Sequence, residues 1–310
     1  MSQTVATFLR CPRCGNENPA ESFACNFCGV RLKIEKIEKF SIFKRIEKEW
    51  IKPAPWYIKI FWLLFKPNNA FWDINHKRSK APGGYILLFC SLFYGLMGLA
   101  VASHFNFVNR SQYSVWVIMF NLTFFITFLI FGFFFQLILF AILIWLFTKG
   151  ANYAVGFTER LENRFGGLTE TKEKYKEAEI SPFSIYKGGT MLQIEASHKF
   201  SMMLCAFAPF LIINIIKFLI MLVGFPQIIV EETNTFNQID TILDQIFASP
   251  TWGVLDMIDA LTIAIWIPIL TTLAIRELSN SSTTRALIPS LIIGFTVAIL
   301  FYFLRPTLFG

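Results

Sequence analysis

The chain has 310 residues, of which 55% are hydrophobic, 36 are Phe and only 16% are charged. With a mean hydropathy of +0.52 it is too apolar for a soluble protein of this length. The net charge of +7 would raise nucleic acid in a soluble chain, but here the Lys and Arg flank apolar runs, where membrane topology accounts for them and no nucleic-acid partner is expected.

The N-terminus carries two Cys-x-x-Cys-Gly turns, Cys11-Pro12-Arg13-Cys14-Gly15 and Cys25-Asn26-Phe27-Cys28-Gly29, with ten residues between Cys14 and Cys25. Each pair supplies two thiolates from one tight turn, and the following glycine is free to adopt the backbone shape the turn needs. The spacing predicts a four-cysteine zinc ribbon over residues 1–30 with Cys11, Cys14, Cys25 and Cys28 as ligands, adventitious iron being the other occupant such a site takes. Two structural disulfides are the plain alternative. They need an oxidising compartment, whereas nothing at the start reads as a signal peptide and the charge pattern places this segment inside the cell. Four thiolates complete the tetrahedron, so Glu17 and Glu21 are not needed and no position stays open for substrate. One structural Zn2+ per chain is expected, with no catalytic role.

Residues 31–56 follow as a linker. Ile37, Phe40, Phe43, Ile46 and Trp50 recur every three or four residues, while Glu35, Lys36, Lys39, Lys44, Arg45, Glu47 and Lys48 occupy the other side. The period predicts an amphipathic helix. It would lie in the cytoplasmic leaflet with Phe40, Phe43 and Trp50 at the membrane interface, or else pack on the transmembrane bundle as an ordinary linker helix. A calmodulin-type target helix is disfavoured by the intermixed glutamates. Lys52-Pro53-Ala54-Pro55 ends it, and Tyr57–Phe65 is too short to span but rich in interfacial aromatics.

Five apolar spans are expected, at about 84–105, 117–147, 200–224, 254–275 and 286–304. The second is ambiguous: residues 114–148 hold no charge over 35 positions, about 52 Å as one helix against a core of about 30 Å. Charge decides. Residues 31–80 hold 13 Lys or Arg and residues 149–199 hold eight, whereas 225–252 hold none and carry Glu231, Glu232, Asp240 and Asp244. The alternation closes if 114–148 crosses once, tilted, with Gly132 as a bend. The N-terminus is then inside and the C-terminus outside. The charged segment 158–179 reads as solvated helix or loop with no chemistry. On the outer side, Phe236, Ile239, Leu243, Ile246 and Phe247 share one face of a short helix opposite Asp240 and Asp244, which suggests a helix resting on the outer leaflet.

No Gly-rich phosphate loop, His-Glu-x-x-His or Gly-x-Ser-x-Gly occurs, and His76, His104 and His198 fall on different connections or span ends, so the chain does not read as an enzyme. Cys90 and Cys205 read as small apolar fillers. Four polar residues fall within the spans: Asn214 and Lys217 in the third, Asp256 and Asp259 in the fourth. Asp256 and Asp259 mark an ion path or a wetted helix end. Lys217 lies about 9 Å below the outer end of its span and Asp259 about 7.5 Å below the start of its own. The matching depths predict that Lys217 faces Asp259, or failing that Asp256, with Asn214 extending the interface; lone snorkelling of Lys217 is the alternative.

The segment Phe65-Lys66-Pro67-Asn68-Asn69-Ala70-Phe71-Trp72-Asp73-Ile74 resembles one that members of the Yip family, five-span membrane proteins named as interactors of Ypt/Rab GTPases, carry before their first span. Gly188-Gly189 ahead of the third span, Pro209 within it, the five-span count and the outward C-terminus add to the likeness, which covers about residues 57–304. The charged 158–179 insertion and the zinc ribbon depart from the pattern; the ribbon looks like the arrangement in prokaryotic or archaeal relatives. An acidic Asp-Leu-Tyr-Gly-Pro-like signature of the eukaryotic trafficking members is missing, which weakens the case for carrying over a small GTPase partner. The expected class is an all-α polytopic membrane protein with a zinc ribbon at 1–30, a linker at 31–56 and a Yip-like domain at 57–310. The expected role is a non-enzymatic scaffold or adaptor in membrane trafficking or shaping. Its partners are the lipid bilayer and an unidentified cytoplasmic protein at the ribbon, with a homo-oligomer left open. A small transporter or channel with a polar path between spans three and four is the other class, though no internal repeat supports it.

Overall fold

The computed structural model describes residues 8–19, 22–25, 27–46, 52–76, 80–107, 114–165, 196–230 and 239–309. The predicted contributions of Glu21, Trp50, Gly188-Gly189, Phe236 and most of the 158–179 segment lie outside these residues.

The helices are α1 (Trp56–Phe65), α2 (Pro67–His76), α3 (Gly83–Ala102), α4 (Val115–Phe165), α5 (Ala196–Leu204), α6 (Pro209–Gly224), α7 (Ile239–Phe247), α8 (Pro250–Leu261), α9 (Ile267–Ser279) and α10 (Thr283–Phe309). Four stretches are long and apolar enough to cross a membrane: Gly83–Ala102, Val115–Tyr153, Pro250–Ser279 and Thr283–Phe303. A fifth arises if Ser197–Phe207 and Pro209–Gly224, bent by 41°, count as one. The bend falls where Pro209 lacks the N–H that would continue the ladder. The Pro250–Ser279 stretch joins α8 to α9 through a π turn, Thr262–Trp266. There Pro268 has no N–H to give the carbonyl a turn earlier, and the wider turn accommodates the loss.

The chain divides into two compact units. The first comprises Met1–Gly83, Leu143–Ala206 and Pro268–Ile293, the second Gly84–Ile142, Phe207–Ile267 and Gly294–Gly310.

In the first unit, strands β1 (Phe8–Arg10) and β2 (Glu17–Pro19) pair antiparallel beneath the cysteine turns. The linker departs from the sequence expectation: instead of one amphipathic helix, Lys36–Lys39 and Ser41–Phe43 form two short 3₁₀ turns. Tertiary bonds outcompete the helical ladder. Glu38 is buried against Arg45 at 2.8 Å, and Arg45 Nη2 donates to the Ser281 carbonyl at 2.6 Å. Phe43 is buried in protein, while Phe40 stays exposed. The largest fully buried side chain of this unit is Arg276, near the end of α9. It donates to the Phe43 carbonyl at 2.6 Å and to Asn68 Oδ1 at 3.2 Å, and pairs with Glu277 at 3.1 Å. Asn68 in turn donates to the Ile42 carbonyl at 2.8 Å, so α2, the linker and α9 share one polar core.

In the second unit, α3 and α4 pack glycine to aromatic in both directions. A Cβ on Gly98 would sit 2.6 Å from Phe128, and one on Gly132 would sit 2.6 Å from Tyr94. Gly132 is therefore a close-approach site and not a bend, because α4 runs through it unbroken. Strand β3 (Phe105–Phe107) pairs in parallel with β4 (Ile228–Val230), which joins the two connections expected on the outer side. Around them cluster Met97, Val101, Phe107, Met221, Phe225 and Leu255. The short helix expected at residues 236–247 is present as α7, with Ile246 buried in this cluster, so at that position the apolar face meets protein. Cys90 and Cys205 are fully buried, as fillers should be.

Candidate metal centre and buried ion pair

The two cysteine turns are built alike. Cys11 N–H donates to the Asn16 carbonyl at 2.9 Å and Gly15 N–H to the Cys11 carbonyl at 3.0 Å; Cys25 N–H donates to Val30 at 2.8 Å and Gly29 N–H to Cys25 at 2.9 Å. Gly15 and Gly29 have φ of 74° and 71°, the left-handed region that closes each turn and that glycine enters without cost. The result is four sulfurs within 4.8 Å of one another, Cys11 and Cys28 at 3.5 Å, Cys14 and Cys25 at 3.6 Å. A tetrahedron with metal–sulfur bonds of about 2.3 Å has edges of about 3.8 Å, so the geometry fits one ion. None of the four cysteines is bridged.

The thiols differ electrostatically. Burial pushes Cys28 up to about 12, with the neighbouring sulfurs adding to the rise. Burial also acts upward on Cys25, but the Cys28 and Phe27 amides and Asn18 outweigh it and hold that thiol at about 6. Neighbouring thiolates cannot all carry charge without a cation, and protons compete with metal for them, so affinity falls as pH falls.

A clamp that the sequence did not signal holds the second turn. Asn280 accepts from the Ala24 amide at 2.9 Å and donates to the Ala24 carbonyl at 2.6 Å, while its own φ of 50° turns the chain between α9 and α10. The Glu35 carboxylate accepts from the Thr283 amide at 2.7 Å and from the Ser282 hydroxyl, capping the start of α10, where an anion suits the helix dipole. Asn in a left-handed turn was the available signal, but no spacing rule connects residue 24 with residue 280.

In the second unit, Lys217 reaches Asp259 with bonds of 3.0 and 2.8 Å to its two oxygens and lies 5.6 Å over the Tyr94 ring. The pairing follows the depth arithmetic. Asp256 is half-buried one turn earlier on α8. Thr251 Oγ1 donates to the Gly224 carbonyl at 2.6 Å, so α6 and α8 run antiparallel with 217 level with 259 and 224 level with 251. The same register puts Asn214 level with the π turn. Asn214 is 0% exposed, and neither of its amide atoms has a hydrogen-bond partner among the described residues.

Lys217→Leu and Asp259→Leu are each expected to destabilise the second unit by about 2–3 kcal/mol, since each removes both short bonds between the ammonium and the carboxylate; the half-open site keeps the loss below that of a fully buried pair. The double variant should lose much less than the sum. A double-mutant cycle by unfolding in bicelles checks this, and additive losses would contradict it.

Compared with known protein families, curated proteins and solved structures, the chain has no match in any of the three.

Proposed function

We propose that the chain is a multi-pass membrane scaffold or adaptor of Yip-like organisation, with one structural Zn2+ in its ribbon and the ribbon facing the cytoplasm. The observation that carries this reading is the clamp. The ribbon is bonded through Ala24, and the linker just after it through Glu35, to the turn before α10, while the ribbon's tips, Pro12-Arg13 on one turn and Phe27 on the other, stay exposed, Phe27 at 75%. An apolar ring presented on a fixed, metal-held turn suits protein docking, because little ordering entropy remains to be lost on binding. Thiolate chemistry favours zinc among available divalent ions. The Lys and Arg asymmetry supports the inward orientation, and the β3–β4 pairing supports placing the first and third connections on one side. A small GTPase is the partner class the family resemblance brings.

A photoreactive residue at Phe27 in the full chain, activated in native cells, tests the docking role. A discrete protein adduct that disappears in Cys25→Ser is expected. Adducts to lipid alone, or one indifferent to the metal site, would count against it.

The orphaned Asn214 amide beside the π turn favours a second reading, a polar path for a small solute or ion between α6 and α8. Solute or ion flux in proteoliposomes that Asn214→Leu abolishes would replace the scaffold reading; tight vesicles would leave it standing.

A further inference from the structure

The sequence between Arg31 and Arg45 mixes lysines with Glu35 and Glu38, but the fold sorts them. Glu35 is turned onto the Ser282 hydroxyl and the Thr283 amide, and Glu38 is buried against Arg45. On the outside remain Lys36, Lys39 and Lys44, interleaved with Ile34 at 75% exposure, Phe40 at 66% and Ile42. No carboxylate among residues 31–46 is left on the exposed side. The surface is thus cationic and apolar together, because the two glutamates that the local sequence sets among its six Lys and Arg are both turned inward.

A second observation extends it. Helix α1 is ten residues long, about 15 Å and too short to cross a bilayer. Its Lys59 and Leu63 face inward, while Tyr57, Phe61 and Phe65 project on an exposed stripe spaced four residues apart. Asn68, just beyond the end of α1, holds the Ser41 and Ile42 carbonyls at 3.3 and 2.8 Å, so the aromatic stripe and the lysine-bearing turns belong to one packed assembly within the first unit. Exposed aromatics on a short helix suit a headgroup boundary, and lysines among apolar side chains suit anionic headgroups.

We propose that α1 and the 34–44 turns form an interfacial platform that binds the anionic leaflet of the membrane in which the chain's own spans lie. This rests on the multi-pass reading and not on the ribbon docking a protein. The lysines supply charge attraction, Phe40, Ile42 and the α1 aromatics supply apolar burial, and the inward glutamates remove the repulsion that an amphipathic helix of the same sequence would present. Phe43, a natural anchor by periodicity, takes no part because it is buried in protein.

The test uses the full chain with metal in place, in nanodiscs of phosphatidylcholine or of an equimolar mixture with phosphatidylserine. An environment-sensitive fluorophore is attached at Ile42→Cys, and nitroxide lipids labelled at headgroup level are the quencher. Quenching is expected in the mixed discs, with the docked-to-free ratio falling roughly fivefold for each of Lys36→Gln, Lys39→Gln and Lys44→Gln. A probe quenched equally in both lipids, or indifferent to the lysines, would overturn the proposal. A probe that stays wet in mixed discs and responds only to added polyglutamate would overturn it in favour of an acidic protein segment. A companion probe at Ile138→Cys, exposed on α4, should be quenched by deep nitroxides. Failure there would sink the multi-pass reading itself, and the platform with it.

Discussion

Cys25→Ser is expected to abolish metal binding and unfold the ribbon in the full-length protein. Cys25 is 1% exposed, its amide anchors the second turn, and its sulfur lies 3.6 Å from Cys14. The ribbon has a two-stranded sheet of three residues per strand and few apolar side chains, too little to hold a fold alone. Structural zinc supplies about 10–16 kcal/mol to modules of this kind, so losing one of four thiolates removes most of what stabilises it. The effect should travel further than a detached domain would allow. Ala24 precedes the mutated ligand and is bonded to Asn280 both ways, and Glu35, a few residues after the ribbon, caps α10. Metal analysis should fall from one equivalent to none, and proteolysis should reach residues 8–31 and the 279–283 turn together. Wild-type metal content in the variant would contradict the assignment.

The next largest loss is expected from Arg276→Leu, about 3–5 kcal/mol, read as a lowered unfolding midpoint in detergent or bicelles. A guanidinium 1% exposed is tolerated because each of its three nitrogens has an acceptor, among the Phe43 carbonyl, Asn68 Oδ1 and the Glu277 carboxylate. Its place in the last turn of α9 also suits the negative end of the helix dipole. Removing it takes away the Arg276 bonds to the Glu277 carboxylate, to Asn68 Oδ1 and to the Phe43 carbonyl. Arg276→Lys should recover little, since one ammonium cannot span three acceptors in a planar fork. A pair Arg276→Leu and Glu277→Leu that is markedly more stable than the single arginine variant would show that the lost Arg276–Glu277 pairing carries much of the cost.

Chemistry that depends on short spacing or on depth was readable from the sequence. The cysteine turns need only four-residue windows, and the Lys217–Asp259 pair needs only that two helices cross the same slab at matching rise. Four of the five expected spans fall on long apolar helices, because long apolar runs have few alternatives, and the expected 200–224 span falls on a pair of helices bent by 41°. What was hidden depends on tertiary competition. The 31–46 segment has a helical period, yet Glu35 and Arg45 find partners on the α9–α10 turn, and Glu38 finds Arg45, that a helix would deny them. The clamp of Ala24 by Asn280 joins residues 256 apart, and the Asn280 side chain reads only the main-chain groups of Ala24, which leave no mark in composition. Gly132 looked like a hinge because glycine weakens helices, but in the fold it admits the Tyr94 ring. Parallel pairing of Phe105–Phe107 with Ile228–Val230 links two three-residue strands too short to announce themselves.

Metal, ribbon and the α9–α10 turn are expected to form one cooperative assembly on a membrane-embedded chain. Hydrogen exchange of the full-length protein in nanodiscs, with and without a zinc chelator, tests it most directly. Chelation should deprotect the amides of Cys25, Gly29 and Ala24 and, at the same rate, that of Thr283, whose N–H is held by Glu35. The β3–β4 amide of Ile228 should keep its protection, because its partner His104 belongs to the other unit. Deprotection of the ribbon with Thr283 unchanged would contradict the account.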